Sequence, residues 1–191
     1  MPAVSIAGEP QQTRVLVTIS AQDDGSGVKT IYYSSDQTRY QQYTGPFMID
    51  PSQVATIAAF ADDNAANRSV AVSYAVPRVP SITGPANLTL NTAPNEINCG
   101  TVVADNSLGD PTASSDSAGT VTIIRTGVPP GNLFPVGTTS IVYTATDSDG
   151  LIATATQTVT VVDRTPPTVI CPGAVVVLLP ISSAASSMAV S

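Results

Sequence analysis

Residues 140–162 read SIVYTATDSDGLIATATQTVTVV. Apolar and polar residues alternate at period two on both sides of Asp147-Ser148-Asp149-Gly150. That alternation is the signature of a strand, and Asp and Gly supply turn geometry. The stretch therefore predicts two strands, 140–146 and 151–162, joined by a tight turn. Working outward, the same pattern recurs along the chain, and helical periodicity is nearly absent. Residues 14–21 place Val15, Val17, Ile19 and Ala21 on one face before Asp23-Asp24-Gly25-Ser26-Gly27 breaks the strand. Residues 29–34 resume with Ile31 and Tyr33 on one face and Tyr32 on the other. Segments 40–43 and 47–49 are separated by Gly45-Pro46, and 54–61 with 68–76 predict a hairpin around Asp62-Asp63-Asn64.

Pro77-Arg78-Val79-Pro80 reads as a short stiff linker, because Pro fixes φ and cannot donate to a ladder. Segments 87–90, 101–104 and 120–126 then precede the strand pair quoted above. Asp163-Arg164-Thr165-Pro166-Pro167 reads as a second linker, followed by segments 168–172 and 175–179 and a polar tail. The expected fold class is all-β, as small β-sandwich modules in tandem. One module spans 1–78 and a second 79–163, with 164–191 as linker and truncated start of a further repeat. An internal repeat supports this. TIAAFAD at 56–62 resembles SIVYTATD at 140–147, with the aspartates Asp62 and Asp147 85 residues apart. Gly84-Pro85 and Cys171-Pro172 stand 87 apart in similar surroundings.

Composition narrows the function classes. The 191 residues carry a net charge of −7 and include no His and no Trp; 11% are charged, against about 25% in an average protein. Lacking His, the chain lacks the commonest general base and the commonest zinc ligand. Lys29 is its one lysine and has no Ser-x-x-Lys context; Glu9 and Glu96 are isolated. No catalytic residue is therefore assigned, and the chain is read as not an enzyme. An acidic chain has no footprint for nucleic acid. The longest apolar run, 174–179, is far short of the ~20 residues of a membrane helix. Richness in Thr, Ser, Val and Asp suggests an extracellular or cell-surface chain; with no signal peptide at its start, it is expected to be a fragment of a longer protein. Residues 1–79 carry seven acids against five bases, and 80–163 seven against one, so the second module is the acidic one.

Calcium is the chemical possibility left open. Hard cations take carboxylate and carbonyl oxygens, and Asp23-Asp24-Gly25, Asp62-Asp63-Asn64 and Asp147-Ser148-Asp149-Gly150 are candidate loops, with Asp163 in the linker. The last loop opens like an EF-hand, but its twelfth position is Thr158, which excludes one. Hairpin turns explain each loop without a metal, and no metal or cofactor residue is assigned. Tyr32, Tyr33, Tyr40 and Tyr43 crowd into twelve residues. They form either an aromatic platform for sugar rings or ordinary cross-strand packing. Asn67-Arg68-Ser69 and Asn87-Leu88-Thr89 are glycosylation sequons, read as incidental.

The second module resembles the hyalin repeat (HYR) family. The matching residues are Pro80-Ser81-Ile82, Pro85-Ala86-Asn87-Leu88-Thr89-Leu90, Cys99-Gly100-Thr101-Val102-Val103 and Pro129-Pro130-Gly131. The most specific are Phe134-Pro135-Val136-Gly137-Thr138-Thr139 with Val142-Tyr143-Thr144-Ala145-Thr146-Asp147, and the junction Val159-Thr160-Val161-Val162-Asp163 before Pro166-Pro167 and Cys171-Pro172. The resemblance covers about residues 80–172. It implies immunoglobulin-like β-sandwiches, found as extracellular tandem repeats and associated with adhesion, with neighbouring repeats as partners and a surface protein or glycan as possible ligand. Residues 17–47 resemble bacterial Ig-like modules of surface proteins and glycoside hydrolases. That implies a bacterial source and, as the alternative function, an accessory carbohydrate-binding module. The chain departs from the HYR pattern at Gly84, where the family has Cys. Two outcomes stay open for the cysteines: a bridge between Cys99 and Cys171, or two thiols.

Overall fold

The computed structural model describes residues 1–93 and 99–166. The first half carries β1 (Ala3–Gln11), β2 (Arg14–Gln22), β3 (Val28–Ser34), β4 (Gln41–Gln42), β5 (Phe47–Ile49), β6 (Thr56–Asp63) and β7 (Val72–Ala75). These make two antiparallel sheets, β1-β2-β5 and β4-β3-β6-β7. The sheets face each other through Val15, Val17, Ile19 and Ile49 on one side and Ile57, Ala59 and Val76 on the other. Alternation on β2 explains the face: Val15 and Val17 are fully buried, while Arg14, Thr18 and Ser20 are exposed. Each such fully buried aliphatic side chain contributes about 1.5–3 kcal/mol. Ile31 and Tyr33 pack against this core, so Tyr32 takes the outer face, as period two dictates.

The second half carries β8 (Ser81–Thr83), β9 (Leu88–Asn91), β10 (Gly100–Val102), a helical turn α1 (Asp105–Leu108), β11 (Thr112–Ser114), β12 (Thr122–Thr126), β13 (Leu133–Pro135), β14 (Gly137–Thr146) and β15 (Ile152–Val162). A four-stranded sheet runs β12-β14-β15-β9, with β9 parallel to β15. Two short pairs, β10-β13 and β11-β8, complete the layer arrangement. The core gathers Val103, Leu108, Phe134, Ile141, Tyr143, Val159 and Val161. The architecture is therefore all-β, as immunoglobulin-like sandwiches in tandem.

Several elements differ from the sequence expectations. The long strand β1 was not expected, and the expected strands 40–43 and 68–76 shorten to Gln41–Gln42 and Val72–Ala75. β8, β11, β13 and α1 are also additions, each too short to give a periodic signal. The segments expected at 168–172 and 175–179 lie outside the described residues.

One residue of the hydrophobic pattern leaves its own module. Leu151, fully buried, belongs to the core of the first sandwich, although it stands at the turn between β14 and β15 of the second. Its neighbour Ile152 donates its N–H to the Gln12 carbonyl at 2.9 Å, and Gln12 pairs with Leu151 as an isolated parallel bridge.

Candidate functional site

The three Asp-rich loops share one construction. Asp23 accepts the N–H groups of Gly25 and Gly27 at 3.2 and 3.0 Å. Asp63 accepts those of Ala65 and Asn67 at 2.9 and 2.7 Å. Asp147 accepts those of Asp149 and Leu151 at 3.0 and 2.9 Å. Each carboxylate thus closes a turn on the residues two and four positions on, which is how Asp side chains stabilise turns. The shared role pairs Asp63, not Asp62, with Asp147, so the internal repeat is one residue tighter than the sequence alignment suggests. Asp62 instead makes a two-bond ion pair with Arg68, at 2.8 and 3.1 Å. The remaining oxygens are also engaged. Asn67 donates its amide to Asp63, Ser115 its hydroxyl to Asp147, and the Met1 ammonium lies 3.1 Å from Asp23. Among the described residues, no three His, Cys, Asp or Glu side chains converge to hold a metal ion. In the linker, Asp163 accepts the Thr165 N–H and the Thr92 hydroxyl.

These bonds set the sign of the acid response. Asn67 above all, with the N–H groups of Asn67 and Ala65, holds Asp63 below the ordinary carboxylate range against an opposing desolvation. The N–H groups of Arg39 and Thr38 hold Asp36 well below it. Folded pKa values below unfolded ones give stability that is complete above about pH 4 and lost as pH falls through the folded values. Burial raises the Tyr74 and Tyr143 phenols, so their share is present below about pH 10 and lost as pH rises through their folded values. Urea midpoints are expected to be flat from about pH 5 to pH 7 and to fall in acid, with Asp63→Asn flattening the acid limb. A profile that slopes steadily through neutral pH would contradict this assignment.

The tyrosine group divides in two. Tyr33 and Tyr43 pack inward with Phe47, Tyr33 stacking on Phe47 at 4.4 Å between ring centroids. Tyr32 and Tyr40 come together on the outer face around Phe60, at 5.2 and 4.9 Å. The Arg68 guanidinium covers the same ring at 4.1 Å. Sequence reasoning did not find Phe60 or Arg68 as members of this group. In the first sequon the Asn67 amide donates to Asp63 and the buried Ser69 hydroxyl accepts the Ala61 N–H; in the second, exposed Asn87 accepts the Thr158 N–H through Oδ1. Cys99 is exposed just before β10; its expected relation to Cys171 lies outside the described residues.

A cleft of about 620 Å³ in the second module is bounded by Asp105, Asp110, Ile123 and Arg125. Arg125 bonds Asp105 at 2.5 Å and keeps its carboxyl below the ordinary range. A general acid for glycoside hydrolysis needs the opposite shift.

The other built region is the joint. Leu151 enters the first core, Val79 packs on that core from the linker, and burial, with the Asp149 charge across the boundary as the lesser cause, raises the Tyr74 phenol. Ser117 bonds Asp149 beside the linker residues Pro77 and Arg78. Fold and joint together define a tandem β-sandwich protein whose modules share packed surface. Comparison places the second module: residues 78–161 match the HYR domain. Hyalin of Strongylocentrotus purpuratus is 39% identical over 95 residues, which is 48% of this chain and 7% of that protein. Hyalin of Lytechinus variegatus is 47% identical over 64 residues, 32% of this chain and 12% of that protein. The chain therefore spans a small part of the relatives it matches. Among solved structures, the Clostridium thermocellum CbhA fibronectin(III)-like modules align over 84% of this chain and 95% of theirs, at 17% identity and a TM-score of 0.30. The protocadherin gammaB7 EC3-6 structure aligns over 84% of this chain and 49% of its own, at 15% identity and a TM-score of 0.27.

Proposed function

We propose that the chain is a non-catalytic, extracellular, adhesion-type segment that works as a stiff spacer. The observation that carries this reading is Leu151, a side chain of one sandwich buried in the core of the other. Interfaces between domains are by default mobile unless they are apolar and packed. A fully buried Leu and a backbone hydrogen bond to Gln12 oppose bending, and so does the Pro77-Arg78-Val79-Pro80 linker. The HYR match of residues 78–161 supports an extracellular setting with neighbouring repeats as partners. The two cores and the strand-free segment at 76–80 support module limits of 1–78 and 79–163, and the sequence pattern alone supports 164–191 as linker and truncated start of a further repeat. A bacterial source rests on the likeness of residues 17–47 alone; the relatives the chain matches are the two hyalins.

Backbone ¹⁵N relaxation on the whole chain tests the spacer. The two sandwiches are expected to tumble with one shared, anisotropic correlation time. Two shorter, independent correlation times would overturn the reading. The alternative, an accessory carbohydrate-binding module, is favoured by one observation: Tyr32 and Tyr40 meet around Phe60 on an outer face.

A further inference from the structure

We infer that the outer face of β3 and β6 is a binding site for an acidic carbohydrate, a saccharide bearing a carboxylate. This stands on the first module alone and is independent of the spacer reading. Tyr32 and Phe60 are cross-strand partners and stack at 5.2 Å; Tyr40 closes on Phe60 from outside any strand and is 40% exposed. Next to them lies a cavity of about 400 Å³, lined in part by Lys29, Thr30, Tyr32, Asp62 and Arg68. Ligand pockets begin at about this size, with apolar surface and a few placed polar groups.

The backbone supplies an independent pointer. Val28 pairs with Asp63 and Thr30 with Asp62, so the register slips at Lys29 and that residue is the extra one of a β-bulge. Ile31 faces the core, and unbroken alternation would aim Lys29 inward with it. The bulge leaves Lys29 exposed at the cavity rim and turns Val28 to the Asp63 register. Bulges commonly re-aim a side chain beside a working site.

The two bases of the lining balance its two acids, so an ammonium with donors to offer, not net charge, selects the ligand. The charge of Asp62 is balanced by Arg68, and Asp63 is occupied by its own turn and Asn67. Among the described residues, Lys29 makes no ion pair within 4.0 Å, so its ammonium keeps donors to offer at the cavity, while its charge reaches Asp62 only at longer range. A pyranose offers C–H faces to Tyr32 and hydroxyls to Thr30 and the Asp62–Arg68 pair. Its carboxylate completes the set by accepting from Lys29, as a charge-assisted bond.

The test is a heteronuclear NMR titration of the whole chain with galacturonate oligomers, glucuronate-containing oligomers and a sialylated trisaccharide, each against a neutral counterpart. Saturable binding of at least one acidic saccharide is expected, with shifts centred on Lys29, Tyr32 and Phe60. Lys29→Gln should weaken it about tenfold, the loss of one charge-assisted bond, while the melting temperature stays put. Tyr32→Ala should weaken it as well. Absence of binding across the panel would overturn the inference. So would equal binding of the neutral counterparts, or binding that Lys29→Gln leaves unchanged.

Discussion

Leu151→Ala is expected to destabilise the chain by about 2–5 kcal/mol and to do so in the module to which Leu151 does not belong by sequence. Leu151 is fully buried and belongs to the first core, so truncation removes apolar contact and leaves a hole in that core. Two relaxations compete. Either the joint stays docked around a cavity, or the second module lets go and water fills the space. The cheaper one sets the cost. Undocking also breaks the Ile152–Gln12 hydrogen bond, so its own cost sets an upper limit on the effect. Calorimetry reads which occurs. The wild-type chain should unfold in one transition, because each core supports the other. In Leu151→Ala the transition should split, with the first module melting lower. Ile141→Ala, buried in the second core alone, serves as the control: it should lower the second module first. If Leu151→Ala lowers only the second module, the joint does not couple the two cores.

The fold was largely legible because period two says which face of its own sheet a residue occupies. Val15, Val17 and Ile19 are buried as their alternation requires, and Tyr32 and Tyr33 fall on opposite faces. Alternation says nothing about what lies across from that face. Leu151 read as the first residue of a strand; its burial depends on Gln12 and the first core, far away in the chain. β1 escaped notice because its inward positions after Val4 and Ile6 are Gly8 and Pro10, a poor strand pattern that survives at a sheet edge. The candidate sugar face divided in the same way. Tyr32 was placed by alternation, whereas Tyr40 reaches Phe60 from a loop and Lys29 is aimed by a bulge, and neither leaves a periodic trace. The Asp-rich loops were visible as composition, but their common turn geometry is a matter of backbone N–H groups that every sequence shares.

Gln157 is where the second module is expected to tolerate change least. It lies on β15 at a position its alternation assigns to the core, and it is fully buried. All its polar capacity is engaged. It accepts the Tyr143 hydroxyl at 2.8 Å and donates to the carbonyls of Ala86 and Leu108 at 2.7 and 2.9 Å. One side chain thus ties β14 and β15 to the loop before β9 and to the end of α1. Gln157→Leu keeps the volume but orphans a hydroxyl and two carbonyls, each at about 1–3 kcal/mol if it stays dry. A loss of about 3 kcal/mol or more is expected. Tyr143→Phe removes only the hydroxyl and should cost about 1 kcal/mol. The double variant should cost less than the two singles together, because it deletes an orphaned donor along with its lost acceptor. Gln157→Glu should be worse than Gln157→Leu at neutral pH. Its carboxylate can still accept from Tyr143 but faces two carbonyls with a buried charge. The deficit should shrink as the medium is acidified and that carboxyl takes up the proton it can then donate. Strict additivity in the Tyr143/Gln157 cycle, measured by urea unfolding, would mean that the two side chains do not act as one network.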